Sequence, residues 1–246
     1  ELADYDYRLY EVAPEKLGEF LKDGEFDGLN VTIPYKKAVI PYCAALSPIA
    51  QKLQSVNVLV RRADGTLYGD NADACGFDAM VKASGISVEG KKALVLGSGG
   101  ASATVCAVLN ELRARSVTVI SRSGEDNYGN LDRHADAEII VNTTPVGMYP
   151  NCGVSPVDLR QFPRLAGVLD IVYNPARTAL VMQAETLGIP YMSGLYMLVA
   201  QAKRTAEVFE GHAILGSETE RIWKKLGREM QNIVLIGMPG SGKSTV

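Results

Sequence analysis

Histidine and cysteine are scarce in this 246-residue chain, with two of the first and four of the second. Cys43, Cys75, Cys106 and Cys152 are widely spaced and form no C-x-x-C pair, and His134 and His212 stand far apart. That set offers a metal too few ligands, so no metal site is expected, and the cysteines read as reduced thiols of a cytoplasmic protein. Positive charge is not in excess either: 25 Lys and Arg face 28 Asp and Glu, a net charge of −3, which argues against a nucleic-acid partner. No apolar run approaches the roughly 18 residues of a membrane span. The opening "ELADYDYRLYEV" lacks the basic start and apolar core of a signal peptide. It also lacks an initiator Met, from which a missing front is expected. With no internal repeat or low-complexity tract, a solenoid is excluded as well.

What remains is the composition of a soluble globular protein, 47% apolar and 22% charged, long enough for one or two domains. "DYDYRLYEV" alternates like a strand, and "FDGLNVTIP" reads as a second strand cut short by Pro34. From Lys36 to Gln54 the apolar residues recur at helical spacing, interrupted by Pro41 and Pro48. "SVNVLVRRADGTLYGDN" predicts a hairpin turning at Asp64-Gly65, with a helix following from Ala74 to about Ala83. Beyond Gly90, "KKALVLGSGGASATVCAVLNELRARSVTVISRS" has the order strand, glycine turn, helix, strand of a βαβ unit. "AEIIVNTTP", "GVLDIVYNP" and "IPYMSG" predict further short strands, and "ALVMQAETLG", "LYMLVAQAKRTAEVFEG" and "SETERIWKKLGREMQ" predict helices. The expectation is an α/β protein of two domains. A first domain spans 1–80, a dinucleotide-type domain 81–190, and helices of 191–230 return to the first.

The glycine turn is the first stretch with chemical content. Gly97, Ser98, Gly99, Gly100 and Ala101 form G-x-G-G-A between a strand and a helix, a variant of the dinucleotide fingerprint in which small Ser102 takes the third glycine's place. Backbone N–H groups there can approach a pyrophosphate at the helix N-terminus. The end of the next strand reports on the cofactor, since an acid there suits NAD and an arginine accommodates a 2′-phosphate. Here it reads Ser121-Arg122-Ser123, which favours NADP over NAD. In the first domain, "LNVTIPYKK" and "GDNADACG" bring Thr32, Lys36, Asn71 and Asp73 to strand and helix ends, with Asn57 between them. Lys36 with Asp73 suits acid–base work beside a carbonyl. The final stretch, "NIVLIGMPGSGKSTV", fits the phosphate-cradling G-x-x-x-x-G-K-[ST] pattern at Gly237, Gly242, Lys243 and Ser244. Two residues follow it, so a vestigial loop is expected, a stub of a P-loop domain over 232–246.

The chain resembles the shikimate dehydrogenases, which reduce 3-dehydroshikimate to shikimate with NADPH. The resemblance runs from about Tyr5 to Gly211 through "NVTIPYK", "VN", "GDNADACG", "LGSGGAS", "VNTTPVGM", "DIVYNPARTAL" and "GLYMLVAQA", in the family's order. It implies a substrate domain with a small mixed sheet, a Rossmann-like NADP domain, and Lys36 as proton donor and acceptor with Asp73 as its partner and a ligand of the substrate hydroxyls. By the same resemblance Thr32, Asn57, Tyr173 and Gln201 fall on the substrate. The cofactor then meets Gly97 to Ala101, Ser121 to Ser123, Ile171 and Gly194. Three departures stand out. Val58 replaces a usual threonine, Asp126 stands where many members have a second basic residue, and the family's opening strand with its S-x-S motif has no counterpart. The last fifteen residues resemble the start of shikimate kinase, so a fusion of the two enzymes is expected, cut at both ends. A quinate/shikimate dehydrogenase preferring NAD and a catalytically silent dinucleotide-binding fragment are the alternatives.

Overall fold

The described residues form two sheets of short strands. A computed structural model describes residues 6–230. Helix α1 (Leu17–Asp23) precedes β1 (Gly28–Asn30), β2 (Cys43–Leu46), the one-and-a-half-turn α2 (Pro48–Leu53), β3 (Val58–Arg61) and β4 (Leu67–Asp70). The strands lie in the order β1-β3-β4-β2, with β1 and β4 antiparallel to β3 and β2 parallel to β4, so this sheet is mixed. The β3–β4 hairpin turns at Asp64-Gly65, where Gly65 takes φ +81° and the Asp64 carboxylate accepts from the Thr66 amide. Leu17, Leu21, Val39, Ala50, Val56, Leu59 and Leu67 form the core of this lobe.

Two expectations fail here. The stretch read as a strand from "DYDYRLYEV" is irregular over residues 6–12, with Leu9 92% exposed. No strand among the described residues lies beside it, and an unpaired strand has no ladder to satisfy its backbone. The helical reading of Lys36 to Gln54 is also overturned. Turns and a single 3-10 turn (Ile40–Tyr42) lead into the strand β2, and only Pro48–Leu53 is helical. Periodicity there misled because tertiary pairing of Cys43, Ala45 and Leu46 with β4 decided the conformation.

Helix α3 (Ala72–Ser84) leads into the second lobe, which begins with β5 (Lys92–Leu96), α4 (Gly100–Glu111) and β6 (Ser116–Ile120), the expected βαβ unit. It continues with β7 (Ile139–Asn142), β8 (Gly167–Asp170), α5 (Ala179–Thr186) and β9 (Tyr191–Ser193). All five strands are parallel, in the order β6-β5-β7-β8-β9. Strand β9, beyond residue 190, is an edge strand of this sheet. Strands buried on both faces need apolar residues at successive positions, which "KALVL" and "EIIV" supply. Ala93 and Val95 pack with α3, α4 and α6 (Leu195–Glu210) on one face, and Leu94 and Leu96 with α5 on the other.

Helix α6 returns to pack along α3, and Gly211 ends it at φ +70°. Helix α7 (Gly216–Glu229) docks on α6 through Trp223 against Tyr196, ring centroids 5.5 Å apart and edge to face. The four cysteines are free thiols, and burial pushes the Cys43 thiol up to about 11, so it is no thiolate nucleophile near neutral pH. Among the described residues no helix is long and apolar enough to cross a membrane. The phosphate-loop pattern at Gly237, Gly242, Lys243 and Ser244 lies outside the described residues.

Candidate active site

In an open α/β sheet, ligands bind beyond the carboxyl ends of the strands where the strand order reverses. Here the chain leaves β5 for β6 on one side and later enters β7 on the other, so the reversal falls between β5 and β7. Gly97 sits at that point with φ +102°, and a Cβ on it would lie 2.9 Å from Thr144 Cγ2 and 3.1 Å from Thr143 Oγ1. Backbone conformation and the neighbouring loop both demand glycine. Gly99 and Gly100 differ, because a Cβ on either would meet no protein atom within 4 Å. They border open space, and Gly99 caps α4 with no side-chain bond. First-turn amides beside an exposed glycine pair suit a pyrophosphate.

The loops after the other strands converge on the same edge. Ser121, Arg122 and Ser123 follow β6, with Arg122 and Ser123 exposed. The Arg122 charge lies near Tyr128, whose hydroxyl burial pushes up and that charge opposes. Ile171 follows β8, its amide donating to the Asn142 carbonyl (3.1 Å). A Cβ on Gly194, after β9, would fall 2.0 Å from the Ile171 carbonyl oxygen, so these two segments touch backbone to backbone.

In the first lobe, Lys36 Nζ donates to Asp73 Oδ2 at 2.7 Å, with side chains 30% and 19% exposed. Lys36 lies in the turn after Pro34, and its carbonyl accepts from the Val56 amide (2.8 Å). Asp73 occupies the first turn of α3, where the helix dipole favours a carboxylate. Asn57 Oδ1 accepts from the Ala72 amide at 2.7 Å, which leaves its amide nitrogen for a ligand. Asn71 is buried, caps α3 through Ala74 and donates to the Ser55 carbonyl, so it serves the fold. Gln201 lies on α6 against Gly76, one turn beyond Asp73 on α3. Thr32 and Tyr173 are exposed, Thr32 in the turn before Lys36 and Tyr173 in the loop after β8.

Comparison with known proteins shows the family. Residues 2–59 match the family model for the shikimate dehydrogenase substrate binding domain. The "Shikimate dehydrogenase (NADP(+))" of Oleidesulfovibrio alaskensis is 38% identical over 242 residues, covering 91% of this chain and 80% of the relative. A chorismate mutase/shikimate 5-dehydrogenase fusion protein from Clostridium acetobutylicum superposes with a TM-score of 0.83 at 32% identity, over 91% of this chain and 86% of that one. The Thermus thermophilus shikimate 5-dehydrogenase, solved with NADP(H) and shikimate, gives 0.72 at 31% identity, over 86% and 83%. The chain belongs to the shikimate dehydrogenase family.

Sequence reasoning missed three polar clusters in this shikimate dehydrogenase fold. Asp70 is buried and accepts from Arg204 Nε (3.0 Å) and Nη2 (2.6 Å), from Ser47 and from the Asn71 amide, tying α6 to β4. Asp170, at the end of β8, accepts from Asn142 (2.9 Å), Thr178 (2.6 Å) and the Val172 amide (3.1 Å). Burial pushes its carboxyl up against those bonds. The cluster joins the ends of β7 and β8 to the start of α5, beside the cofactor edge. Asp126 pairs with His134 behind the loop after β6. "GDN", "VNTTP" and "LDIV" carried the signal for the first two, as polar residues closing apolar strands; nothing in the local pattern pointed to His134.

Proposed function

We propose that this protein is an NADP-dependent oxidoreductase acting on a CH–OH group, which interconverts 3-dehydroshikimate and shikimate. The Lys36–Asp73 pair carries this reading, a half-buried ammonium held by a carboxylate in the first lobe. NADPH, when bound, supplies the hydride that the ketone carbon accepts. Negative charge then grows on the ketone oxygen, and Lys36 Nζ stabilises it and delivers the proton there. Asp73 orients Lys36 and can accept from a ring hydroxyl. Asn57, Thr32, Tyr173 and Gln201 position the polyhydroxylated ring, the neutral amides without disturbing the charge balance. Gly97 to Ala101 would hold the pyrophosphate and Ser121, Arg122 and Ser123 the adenosine 2′-phosphate, with Ile171 and Gly194 also meeting the cofactor.

The P-loop pattern in 232–246 supports a wider proposal, a cytoplasmic two-enzyme chain whose covalently linked shikimate kinase phosphorylates the dehydrogenase's product. A second reading, a quinate/shikimate dehydrogenase using NAD, has Asp126 in its favour, since a carboxylate near the end of the second strand suits a ribose 2′-hydroxyl. Following cofactor absorbance with shikimate or quinate against NADP or NAD separates these readings. Turnover of shikimate with NADP at least about tenfold more efficient than any other pairing is expected. Absence of turnover with all four pairings would reject the dehydrogenase reading.

A further inference from the structure

The loop after β6 carries Arg122, Glu125 and Asp126 within five residues, charges of both signs where one cofactor group must be read. The loop is closed on itself, because the Ser121 amide donates to the Asp126 carbonyl (3.1 Å). Asn127 and Asn130 fasten its outer side through bonds to the Gly124 and Glu125 carbonyls. Asp126 is thereby held next to the strand end where the adenosine 2′-group of a dinucleotide lies. An unengaged carboxylate at that place would accept from a ribose hydroxyl and repel a phosphate.

The Asp126 carboxylate is engaged. Its Oδ1 lies 2.8 Å from Nε2 of His134, which closes the 3-10 turn Leu131–His134 and is only 9% exposed. A carboxylate offers acceptors alone, so Nε2 carries the hydrogen in this contact. The other ring nitrogen, Nδ1, is buried without a partner. Burying an unsatisfied polar atom costs free energy, which an apolar residue filling the same space would not. Among the described residues the one polar bond the ring makes is the one to Asp126.

Resting on the NADP reading above, we propose that His134 is a positioning residue for cofactor choice. By holding the Asp126 carboxylate, it lets the loop 121–126 present Arg122 and the serines to the adenosine 2′-position, and so selects NADP over NAD.

Calorimetric titration of NADP and NAD into the wild-type protein and its variants tests this. His134→Leu keeps the buried volume but releases Asp126, and NADP binding should weaken about tenfold while NAD binding holds or tightens. Adding Asp126→Asn to His134→Leu should restore NADP affinity to within about twofold of wild type. His134→Gln, whose amide N–H can still reach Asp126, should keep the wild-type ratio. Equal weakening for both cofactors, or no rescue by Asp126→Asn, would mean that His134 merely supports the loop, and the proposal falls. Should His134→Leu fail to fold, Asp126→Asn alone decides: NADP affinity within about twofold of wild type is expected. A tenfold gain would show that the carboxylate already faces the phosphate, overturning the proposal. A wild-type protein with no preference for NADP would reject the NADP reading itself, before any variant is made.

Discussion

Lys36 joins the two kinds of knowledge at the residue scale. Its place in "NVTIPYKK" marked it, and its 2.7 Å bond to Asp73, 37 residues away, exists only in the folded chain. Lys36→Ala should lower kcat by at least about a hundredfold, the scale of general acid catalysis, while substrate binding changes less. Single-turnover kinetics beside equilibrium binding measures both, and near-normal kcat would remove Lys36 from the chemistry. Gly97 was equally legible, because a glycine between a strand and a helix already implies a turn that a side chain would obstruct. Asn57 was legible only in part. Its identity suggested a ligand for the substrate, whereas the folded chain commits its carbonyl end to the Ala72 amide.

At the scale of elements, the βαβ unit and the β3–β4 hairpin were readable because each is closed by neighbours in sequence. Strand β2 was not. "CAAL" has weak strand propensity, and among the described residues its one ladder is with β4, more than twenty residues on. The return of helices beyond 190 to the first lobe was expected, but not the close approach of α6 to Gly76 on α3, which matters for the site. A Cβ on Gly76 would fall 2.8 Å from the Met197 carbonyl oxygen and 3.0 Å from Gln201 Cβ. Gly76→Ala should therefore cost roughly 1–3 kcal/mol of stability through overpacking and raise KM by displacing Gln201. Urea unfolding and steady-state kinetics check the two effects, and an unchanged KM would take Gln201 out of the substrate site. At the far end of α6, burial pushes Glu207 up, but Lys203, the Ile214 amide and Arg204 together hold its carboxyl below the ordinary 4.5. A lowered folded-state pKa contributes stability above the ordinary value and loses it as pH falls through the folded one. Glu207→Gln should therefore lower Tm near neutral pH, and the difference from wild type should shrink in acid. Thermal melts across that range test the sign, and a deficit growing in acid would contradict it.

For the whole molecule, the question is what holds α6, with Gln201 on it, to the first lobe while it also packs on the second. Arg204 and the buried Asp70 supply a polar tie, with Asp70 1% and Arg204 36% exposed. Removing one member of such a pair strands the other, and the partial exposure of Arg204 moderates the cost. Arg204→Ala should destabilise the protein by about 2–3 kcal/mol. It should also weaken shikimate binding more than NADP binding, since the cofactor edge is built from β5 to β9. Denaturation and calorimetry test this together, and equal losses for both ligands would mean that the tie does not serve the substrate side in particular.

Apolar runs and the glycine turn determined by themselves that this is an α/β protein with a dinucleotide lobe, for those signals are local, and the order of its motifs carried the resemblance to the shikimate dehydrogenases. Tertiary structure alone decided that residues 6–12 are irregular, that 43–46 form a strand, and that Asp70, Asp170 and Asp126 each find a partner. Those outcomes depend on contacts between segments far apart in the chain, with burial setting the cost of leaving a donor or a charge unpaired, and no short stretch of sequence carries that information.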